Sequence, residues 1–349
     1  MKVLFVGLGG IGQRHLRNLK AIVGDSLEVI AYRERKLNQV ITDKLDIEPG
    51  DDISQRFGVR VFDSLSEALS QKPSIVFICN PTSMHIPVAM EAAKHGCHLF
   101  IEKALSHTLE GTAELIKLVE DNELICMVGY QMRFHPCLKT LKDVLESYAI
   151  GRVLAINVEV GEYMPAWHKY EDYRELYAAR KDLGGGVIVS QIHEFDYVYW
   201  LFGLPRRVFA TGGHLSSLEI DVEDVASIYL ECFGGESVIP VHIHQDYLQR
   251  PPARNCKVIG DKGKVHVDFL APTVTHFGED GAIAHHWDFR GFERNQLFVD
   301  EMRHFLACVD GGTQPCVPIR EGVQSLRMAI AAKESLDKRC VVEIDASPF

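Results

Sequence analysis

The most constraining feature of this 349-residue chain is a glycine-rich turn close to its start. The apolar residues 3–6 lead directly into the segment Gly7-Leu8-Gly9-Gly10-Ile11-Gly12. After the glycines, Leu16, Leu19 and Val23 lie at helical spacing. A strand, a glycine turn and a helix in this order predict the first βα unit of a parallel sheet, with a turn suited to close approach by a ligand.

Each glycine of this turn has a separate physical role. Gly7 permits the tight turn, Gly9 lets the backbone approach a diphosphate, and Gly12 allows the helix to pack closely on the strand. Gly10 and Ile11 complete the first turn of the helix, whose free N–H groups and dipole favour an anion. The pattern predicts a dinucleotide-binding site. The alternative is a glycine-rich turn with a purely structural role.

The residue after the second strand indicates which dinucleotide is preferred. NAD-dependent enzymes place a carboxylate there, about twenty residues after the glycines, where it accepts a hydrogen bond from the ribose. This chain has Tyr32-Arg33 at that point. Arg33 pairs well with a 2′-phosphate, so the sequence favours NADP over NAD. In the alternative interpretation Arg33 faces solvent and Glu34 binds the ribose.

Six short apolar runs alternate with helical patterns over the first third of the chain. They are residues 3–6, 27–31, 59–62, 75–79, 98–101 and 125–128. Near-continuous apolar strands separated by helices are typical of a doubly wound parallel sheet. We therefore expect an α/β fold whose N-terminal Rossmann domain, residues 1–128, binds NAD(P).

Beyond residue 129 the strands change to an alternating pattern. Two sets of apolar residues share one face each, namely Leu154, Ile156, Val158 and Val160, and Ala226, Ile228, Leu230 and Cys232. The turn Gly260-Asp261-Lys262-Gly263 favours a hairpin. Helices are predicted over residues 186–201 and 321–336. Residues 129–349 are thus expected to form an α/β domain for substrate binding and oligomerisation, with a large, open and mostly antiparallel sheet.

Composition excludes several classes of function. With 37 basic and 48 acidic residues the net charge is −11, which argues against nucleic acid as a partner. No apolar run is long enough to span a membrane, and the apolar start lacks a cleavage site. The nine cysteines show no metal-ligand spacing, so we expect no metal, buried thiols and a cytoplasmic location.

Several motifs occur in an order that resembles one known family. They are the glycine turn up to His15, Cys79-Asn80-Pro81-Thr82 with His85, Glu102-Lys103, residues 129–134, and Gly184-Gly185-Gly186 leading to His193-Glu194-Phe195-Asp196. The chain resembles the glucose-fructose oxidoreductase, inositol dehydrogenase and rhizopine-catabolism (Gfo/Idh/MocA) family over nearly its whole length. This resemblance implies an NAD(P)-dependent oxidoreductase acting on CH–OH groups, assembled as a homodimer or homotetramer.

The resemblance also implies roles for individual residues. Lys103 matches the family's catalytic lysine, and His193 matches its acid/base histidine. The residues expected to contact the cofactor, besides the glycine turn and Arg33, are Asn80, Pro81, Thr82, His85, Glu102, Lys103 and Gln131. Two departures stand out: Ala104 replaces the usual proline after the lysine, and Val189-Ser190-Gln191 lacks an aspartate found in many members.

Candidate substrate residues surround the second glycine run. They are Arg133, Tyr163, Trp167, Arg174, Tyr177, Ser190 and His193. Aromatic rings with polar tips suit a sugar ring, and arginine suits a carboxylate or phosphate. An aromatic loop at a subunit interface is the alternative.

The leading hypothesis is hydride transfer between nicotinamide C4 and a hydroxyl or carbonyl of a sugar, nucleotide sugar or cyclitol, with Lys103 and His193 handling the proton. A lyase or glycosidase with a recycled cofactor, and a non-catalytic dinucleotide sensor, are the alternatives.

Overall fold

The computed structural model describes residues 1–34, 39–42, 45–48, 52–168, 170–235 and 237–347. Part of the connection after the second strand lies outside the described residues. The sequence predicts a surface elaboration for residues 33–58, to which this part belongs. Within the described part of the chain, no helix is long and apolar enough to cross a membrane.

The N-terminal part forms a parallel sheet of six strands with helices on both sides. In chain order the eight strands described in this part of the chain are β1 (Lys2–Val6), β2 (Glu28–Tyr32), β3 (Val40–Ile41), β4 (Ile47–Glu48), β5 (Arg60–Phe62), β6 (Ile75–Ile78), β7 (His98–Glu102) and β8 (Cys126–Gly129). Strands β3 and β4 form a separate two-stranded ribbon. The helices are α1 (Gly10–Val23), α2 (Ile53–Phe57), α3 (Leu65–Ser70), α4 (His85–Lys94) and α5 (Thr112–Asp121).

The order of strands in this sheet is β5-β2-β1-β6-β7-β8. Every pairing in it is parallel, and the residues of β6 are fully buried because both faces are covered. The order reverses between β2 and β6, on either side of β1. In open sheets of this kind a ligand binds beyond the carboxyl ends of the strands at such a reversal. The doubly wound prediction is confirmed.

The remaining chain forms a nine-stranded, mostly antiparallel sheet and further helices. In chain order the elements are α6 (Pro136–Glu146), β9 (Val153–Gly161), α7 (Val187–Ser190), α8 (His193–Phe202), β10 (Arg207–Gly213), β11 (Val225–Gly234), β12 (Ser237–Asp246), β13 (Ala253–Gly260), β14 (Gly263–Asp268), β15 (Thr273–Phe277), β16 (Ile283–Asp288), α9 (Asn295–Val309), α10 (Ile319–Lys338) and β17 (Val342–Glu343). The order across the sheet is β16-β15-β14-β13-β9-β12-β11-β10-β17.

Alternation along these strands buries one face, as the sequence predicts. Ile228 and Val158 are at most 2% exposed, and Gly260 pairs with Gly263 across the expected hairpin. Leu154 is the exception, because it is 40% exposed where the pairing of β9 with β13 shifts register. A bulge turns its side chain away from the buried face.

Two helices of this part were not predicted. In α6, Leu138, Leu141 and Val144 are buried at helical spacing. Helix α9 buries Phe305 against the first sheet and Phe298 against α1. The predicted helix over residues 186–201 is two helices, α7 and α8, joined at Gln191 and Ile192.

The end of the chain returns to the first sheet. The N–H of Val128 in edge strand β8 donates to the carbonyl of Val317 at 3.0 Å, and Met127 pairs with Pro318. Helix α10 then packs against both β8 and β10. The last part of the chain therefore ties the two sheets together.

Candidate active site

The glycine turn is shaped by close backbone packing. Gly7 has a φ of +91°, and its N–H donates to the carbonyl of Tyr32 at 3.1 Å. A Cβ on Gly7 would lie 2.8 Å from the backbone of Cys79 and Asn80. Only glycine adopts this conformation in this space, so the end of β1 fits between the ends of β2 and β6.

The first turn of α1 is crowded on one side and open on the other. A Cβ on Gly12 would lie 2.3 Å from the carbonyl oxygen of Gly7, so helix and strand are in direct contact. Gly9 is the N-cap, and a Cβ there would meet nothing within 4 Å. Ile11 packs against the core beside them. The N-cap of the helix thus faces open space at Gly9, which suits a diphosphate at the helix N-terminus.

A cation and a carboxylate both follow β2. Arg33 is 9% exposed, and burial lowers the pKa of its guanidinium while Asp52 opposes that shift. Glu34 is exposed and accepts a hydrogen bond from the Tyr32 hydroxyl at 3.3 Å. Both residues directly follow β2, the place from which Rossmann folds bind the ribose of a dinucleotide.

The segment after β6 is tied to the segment after β7 by one histidine. The ring of His85 lies between two carbonyl oxygens, with Nδ1 2.8 Å from that of Ala104 and Nε2 2.8 Å from that of Asn80. Burial lowers the pKa of His85. Pro81 and the buried Thr82 lie between Asn80 and His85 along the chain. His85 therefore fixes the cleft wall rather than reaching into it.

Glu102 holds the end of β7 in place. Its Oε1 lies 2.6 Å from Nε2 of the buried His15 in α1, and its Oε2 accepts the backbone N–H of Lys103 at 3.2 Å. The peptide bond between Lys103 and Ala104 is cis. The Glu102 carboxylate thus binds the backbone of Lys103. Its contacts with the described residues do not include the Lys103 ammonium group.

The Lys103 side chain crosses from the first sheet to the helices of the second part. Its Nζ donates to the carbonyl of Ser190 in α7 at 2.8 Å and lies 3.4 Å from the Tyr177 hydroxyl. Ser190 is 87 positions and Tyr177 is 74 positions away from Lys103 along the chain. The ammonium group therefore lies in the cleft between the two sheets.

His193 begins α8, in the next turn of chain after Ser190. It is 5% exposed, and its ring meets Tyr130 edge to face with centroids 5.8 Å apart. Burial holds the pKa of His193 well below its usual range, and the charges of Lys103, Arg254 and Arg294 lower it further. The imidazole is therefore neutral at pH 7 and shares the cleft with the Lys103 ammonium.

Five buried polar atoms on predicted site residues lack a hydrogen-bond partner among the described residues. Two of them, Trp167 Nε1 and Ser190 Oγ, are on predicted substrate residues. The other three are Asn80 Oδ1, Gln131 Oε1 and His193 Nδ1, on predicted cofactor-binding and catalytic residues. Such atoms are uncommon in folded proteins, and a ligand is one way to satisfy them. Together with the open N-terminus of α1, they fit a dinucleotide that extends along the carboxyl edge of the first sheet.

Arg133 lies outside this group, although it was predicted to bind substrate. Its guanidinium forms a two-bond contact with Asp196 at 2.8 and 3.0 Å, and also donates to Glu321 at 2.6 Å and to the carbonyl of Cys316 at 3.0 Å. These contacts join β8 to α8 and α10, so the geometry gives Arg133 a structural role.

The aromatic segment before the glycine run is only partly directed at the cleft. Tyr177 contacts Lys103, whereas Tyr163 stacks under Arg250 and Trp167 packs on Tyr247. Arg174 is exposed and paired with acidic residues at the surface. Of the predicted substrate residues, Tyr177 and Ser190 contact Lys103.

Two further residues of the site were not singled out from the sequence. Tyr130 packs on His193, and its position directly after β8 was a usable signal. Arg254 on β13 donates to Glu194 at 2.9 Å and influences His193. No local pattern marks Arg254, because it is 60 residues away from Glu194.

Several known proteins are similar to this chain. A myo-inositol 2-dehydrogenase of Thermotoga maritima is 26% identical, with 99% of both chains covered. A 2,7-anhydro-N-acetylneuraminate hydratase of Mediterraneibacter gnavus is 26% identical over 60% of this chain and 52% of the relative. The crystal structure of the WlbA dehydrogenase from Bordetella pertussis, in complex with NADH and UDP-GlcNAcA, has a TM-score of 0.79 at 22% identity, with 99% of both chains covered. This structure shows the same fold.

Two family models match successive parts of the chain. The model of the GFO_IDH_MocA oxidoreductase family, described as an NAD-binding Rossmann fold, matches residues 1–130. The model of the GFO/IDH/MocA C-terminal domain matches residues 138–266. Together they span most of the chain, in the order that the motifs and the two sheets follow. The chain therefore belongs to the Gfo/Idh/MocA family of NAD-binding oxidoreductases.

Proposed function

We propose that this protein transfers a hydride between a bound nicotinamide dinucleotide and a CH–OH group of a sugar, nucleotide sugar or cyclitol. The observation that carries the proposal is the position of the Lys103 ammonium, which is 2.8 Å from the Ser190 carbonyl at the carboxyl edge of the first sheet. His193, buried and neutral, follows on the next helix. A cation beside a neutral base suits proton-coupled oxidation of a hydroxyl.

Lys103 binds and polarises the reacting oxygen. An ammonium group has three N–H donors, and two of them have partners among the described residues, Ser190 and Tyr177. The third is directed by these two contacts and donates to a substrate oxygen. A fixed positive charge at that point stabilises the alkoxide character that develops as the hydroxyl loses its proton.

His193 moves the proton. In the direction of oxidation its neutral ring accepts the hydroxyl proton, and in the direction of reduction it returns that proton to the new hydroxyl. When bound, the dinucleotide supplies the hydride acceptor or donor. Because the pKa of His193 lies well below its usual range, the ring stays ready to accept a proton through neutral pH.

The substrate class follows from the surroundings of Lys103. Tyr177 offers an apolar ring and a hydroxyl beside the ammonium, which suits the C–H face and hydroxyl rim of a sugar-like ring. The similar proteins of Thermotoga and Bordetella carry names that refer to an inositol and to a nucleotide sugar. A first panel of substrates therefore contains inositols, aldoses and UDP-linked sugars.

Substitution of Lys103 tests the proposal. We expect K103A to lower turnover by roughly two to four orders of magnitude, because the oxyanion loses its cation. The dissociation constant for cofactor, followed by nucleotide fluorescence, should change little. K94A is the control, because Lys94 is an exposed lysine paired with Glu91 on the outer side of α4. Unchanged turnover in K103A would remove this lysine from the mechanism.

We also propose a preference for NADP over NAD, supported by Arg33 at the end of β2. A guanidinium pairs with a 2′-phosphate, whereas NAD offers it only a hydroxyl. NADPH should therefore bind more tightly than NADH by about tenfold, equivalent to about 1.4 kcal/mol. In R33A the two dissociation constants should converge. Tighter binding of NADH by the unaltered protein would instead assign the ribose to Glu34.

A second candidate is a lyase or glycosidase reaction in which the cofactor is reduced and reoxidised within one turnover. The similarity to a hydratase from Mediterraneibacter supports it. Such an enzyme would purify with nucleotide and consume substrate without a net change in nicotinamide absorbance. A net absorbance change that matches substrate consumption would exclude this candidate.

A further inference from the structure

The connection that follows β9 brings Tyr170 onto the glycine turn of the first sheet. A Cβ on Gly10 would lie 2.9 Å from the Tyr170 hydroxyl oxygen and 3.8 Å from its Cζ. Gly10 is the first residue of α1, directly after the N-cap Gly9. The hydroxyl therefore occupies the space that a side chain at position 10 would fill, next to the first residue of α1.

The ring of Tyr170 is held in place by its neighbours. It stacks on His168 with centroids 4.9 Å apart and an interplanar angle of 14°. The hydroxyl lies 3.3 Å from Nδ1 of His168, and that nitrogen lies 3.1 Å from a carboxylate oxygen of Glu171. Burial raises the pKa of the Tyr170 phenol, and the charge and hydrogen bond of the Glu171 carboxylate raise it further, so the group keeps its proton at neutral pH. In the free protein the O–H is therefore shared with Glu171, and a bound diphosphate competes with that carboxylate for it.

We infer that the Tyr170 hydroxyl donates a hydrogen bond to the diphosphate of the bound dinucleotide. This inference rests on the cofactor assigned above. The N-terminus of α1 supplies N–H groups from one side of the anion, and Tyr170 supplies an O–H from the facing segment. A residue of the second part of the chain thereby completes the cofactor site that the first part builds.

The test is equilibrium binding of NADPH and NADH, measured by nucleotide fluorescence, to the full-length protein and to Y170F. Loss of one hydrogen bond to a charged group should raise both dissociation constants about tenfold, which is about 1.4 kcal/mol. Y173F is the matched control, because the Tyr173 hydroxyl belongs to the same segment but accepts the N–H of Glu219 at 3.2 Å. Y173F should bind like the unaltered protein.

The binding measurements distinguish an error in this inference from an error in the proposed function. If the unaltered protein binds neither nucleotide, the proposed oxidoreductase function is wrong. If the unaltered protein binds nucleotide and Y170F binds it equally well, only the role of Tyr170 is overturned. Thermal unfolding of the free variants serves as the folding control.

ADP-ribose locates the contact on the cofactor. This molecule keeps the diphosphate and lacks the nicotinamide ring, so Y170F should bind it more weakly by the same factor as NADH. A loss confined to the complete dinucleotides would place the hydroxyl at the nicotinamide end and contradict the inference.

A second variant, G10A, tests the same contact from the other side. In G10A the added methyl group displaces the Tyr170 hydroxyl, because their separation would be only 2.9 Å. G10A should therefore weaken nucleotide binding in the unaltered background and have little further effect in Y170F. An equal loss in both backgrounds would show that the two positions are not coupled and would overturn the inference.

Discussion

At the scale of single residues, Arg133 shows how a side chain's role depends on distant partners. The arginine follows β8, where sequence reasoning assigned it to a substrate anion. Its partners Asp196 and Glu321 are 63 and 188 residues away along the chain. The side chains of Arg133 and Asp196 are at most 3% exposed. Nothing in the local sequence shows that the guanidinium is already paired.

The structural role of Arg133 predicts a loss of stability rather than of substrate affinity. R133M leaves the buried Asp196 carboxylate without its cation, which should lower the free energy of unfolding by about 3–5 kcal/mol. Urea denaturation measures this loss. The control R174M removes an arginine paired at the surface and should leave the free energy of unfolding unchanged. A stable R133M protein with a raised KM would support the substrate role instead.

Residues near the cleft differ in how well the sequence predicted their positions. Lys103 and His193 follow recognisable motifs at the ends of β7 and α7, and the structure brings both to the cleft. Arg254 carries no such motif, because it approaches His193 only when β13 pairs with β9. Prediction succeeds where the determinant is a local backbone signal and fails where two distant strands must first pair.

At the scale of elements, α6 depends on an uncommon cap. His135 is its N-cap, and Nδ1 of the ring accepts the backbone N–H of Cys137 at 3.1 Å. Acceptance requires a neutral nitrogen. Burial lowers the pKa of His135 to about 4, with a smaller contribution from the charge of Arg254. The helix therefore begins correctly only while this ring is unprotonated.

The cap predicts a pH dependence of stability with a definite sign. In the unfolded chain His135 binds a proton below about pH 6.5, while in the folded protein it does so only near pH 4. The contribution of His135 to the free energy of unfolding is complete above pH 6.5 and falls by about 3 kcal/mol as the pH drops to 4. In H135N, which keeps a capping side chain that does not titrate, the loss of stability on acidification should be smaller by that amount.

Denaturant unfolding at several pH values measures this difference. At pH 8 both side chains are neutral caps, so any difference in the free energy of unfolding at that pH reflects the lost packing of the ring on Phe269 and Phe292. If the free energies of unfolding of H135N and of the unaltered protein fall in parallel from pH 8 to pH 4, His135 does not carry the proton linkage.

Elements were predictable to different degrees for a physical reason. Strands β1, β6, β7 and β8 of the first sheet are buried on both faces, so their apolar runs are continuous and easily recognised. Helix α6 has a periodic apolar stripe, with Leu138 and Leu141 buried, but it lies among signals for strands and was not predicted. The bulge at Leu154 depends on register between two strands, which one strand's pattern does not contain.

At the scale of the whole molecule, the outer face of the nine-stranded sheet carries exposed apolar side chains among its polar ones. Its exposed side chains include Phe209 at 38%, Tyr229 at 52% and Val238 at 49%, while helices cover the opposite face. Exposed apolar side chains grouped on one sheet favour contact with a second copy. We propose that the protein forms a homodimer or homotetramer through this face.

Disruption of the outer face tests the assembly. Y229E places a charge in the middle of β11 and should reduce the mass measured by light scattering to that of one chain. L215E, at a residue 65% exposed after β10, is the control and should keep the assembled mass. An unaltered protein that is already monomeric would contradict the proposal.

The contact between Val128 and Val317 has a consequence for how the protein is made. During synthesis, the edge of the first sheet emerges almost 190 residues before the segment that covers it. Until then the exposed strand is a template for unwanted pairing with other nascent chains. Chains that terminate early, before Val317, should therefore aggregate even though their nucleotide-binding half is complete in sequence.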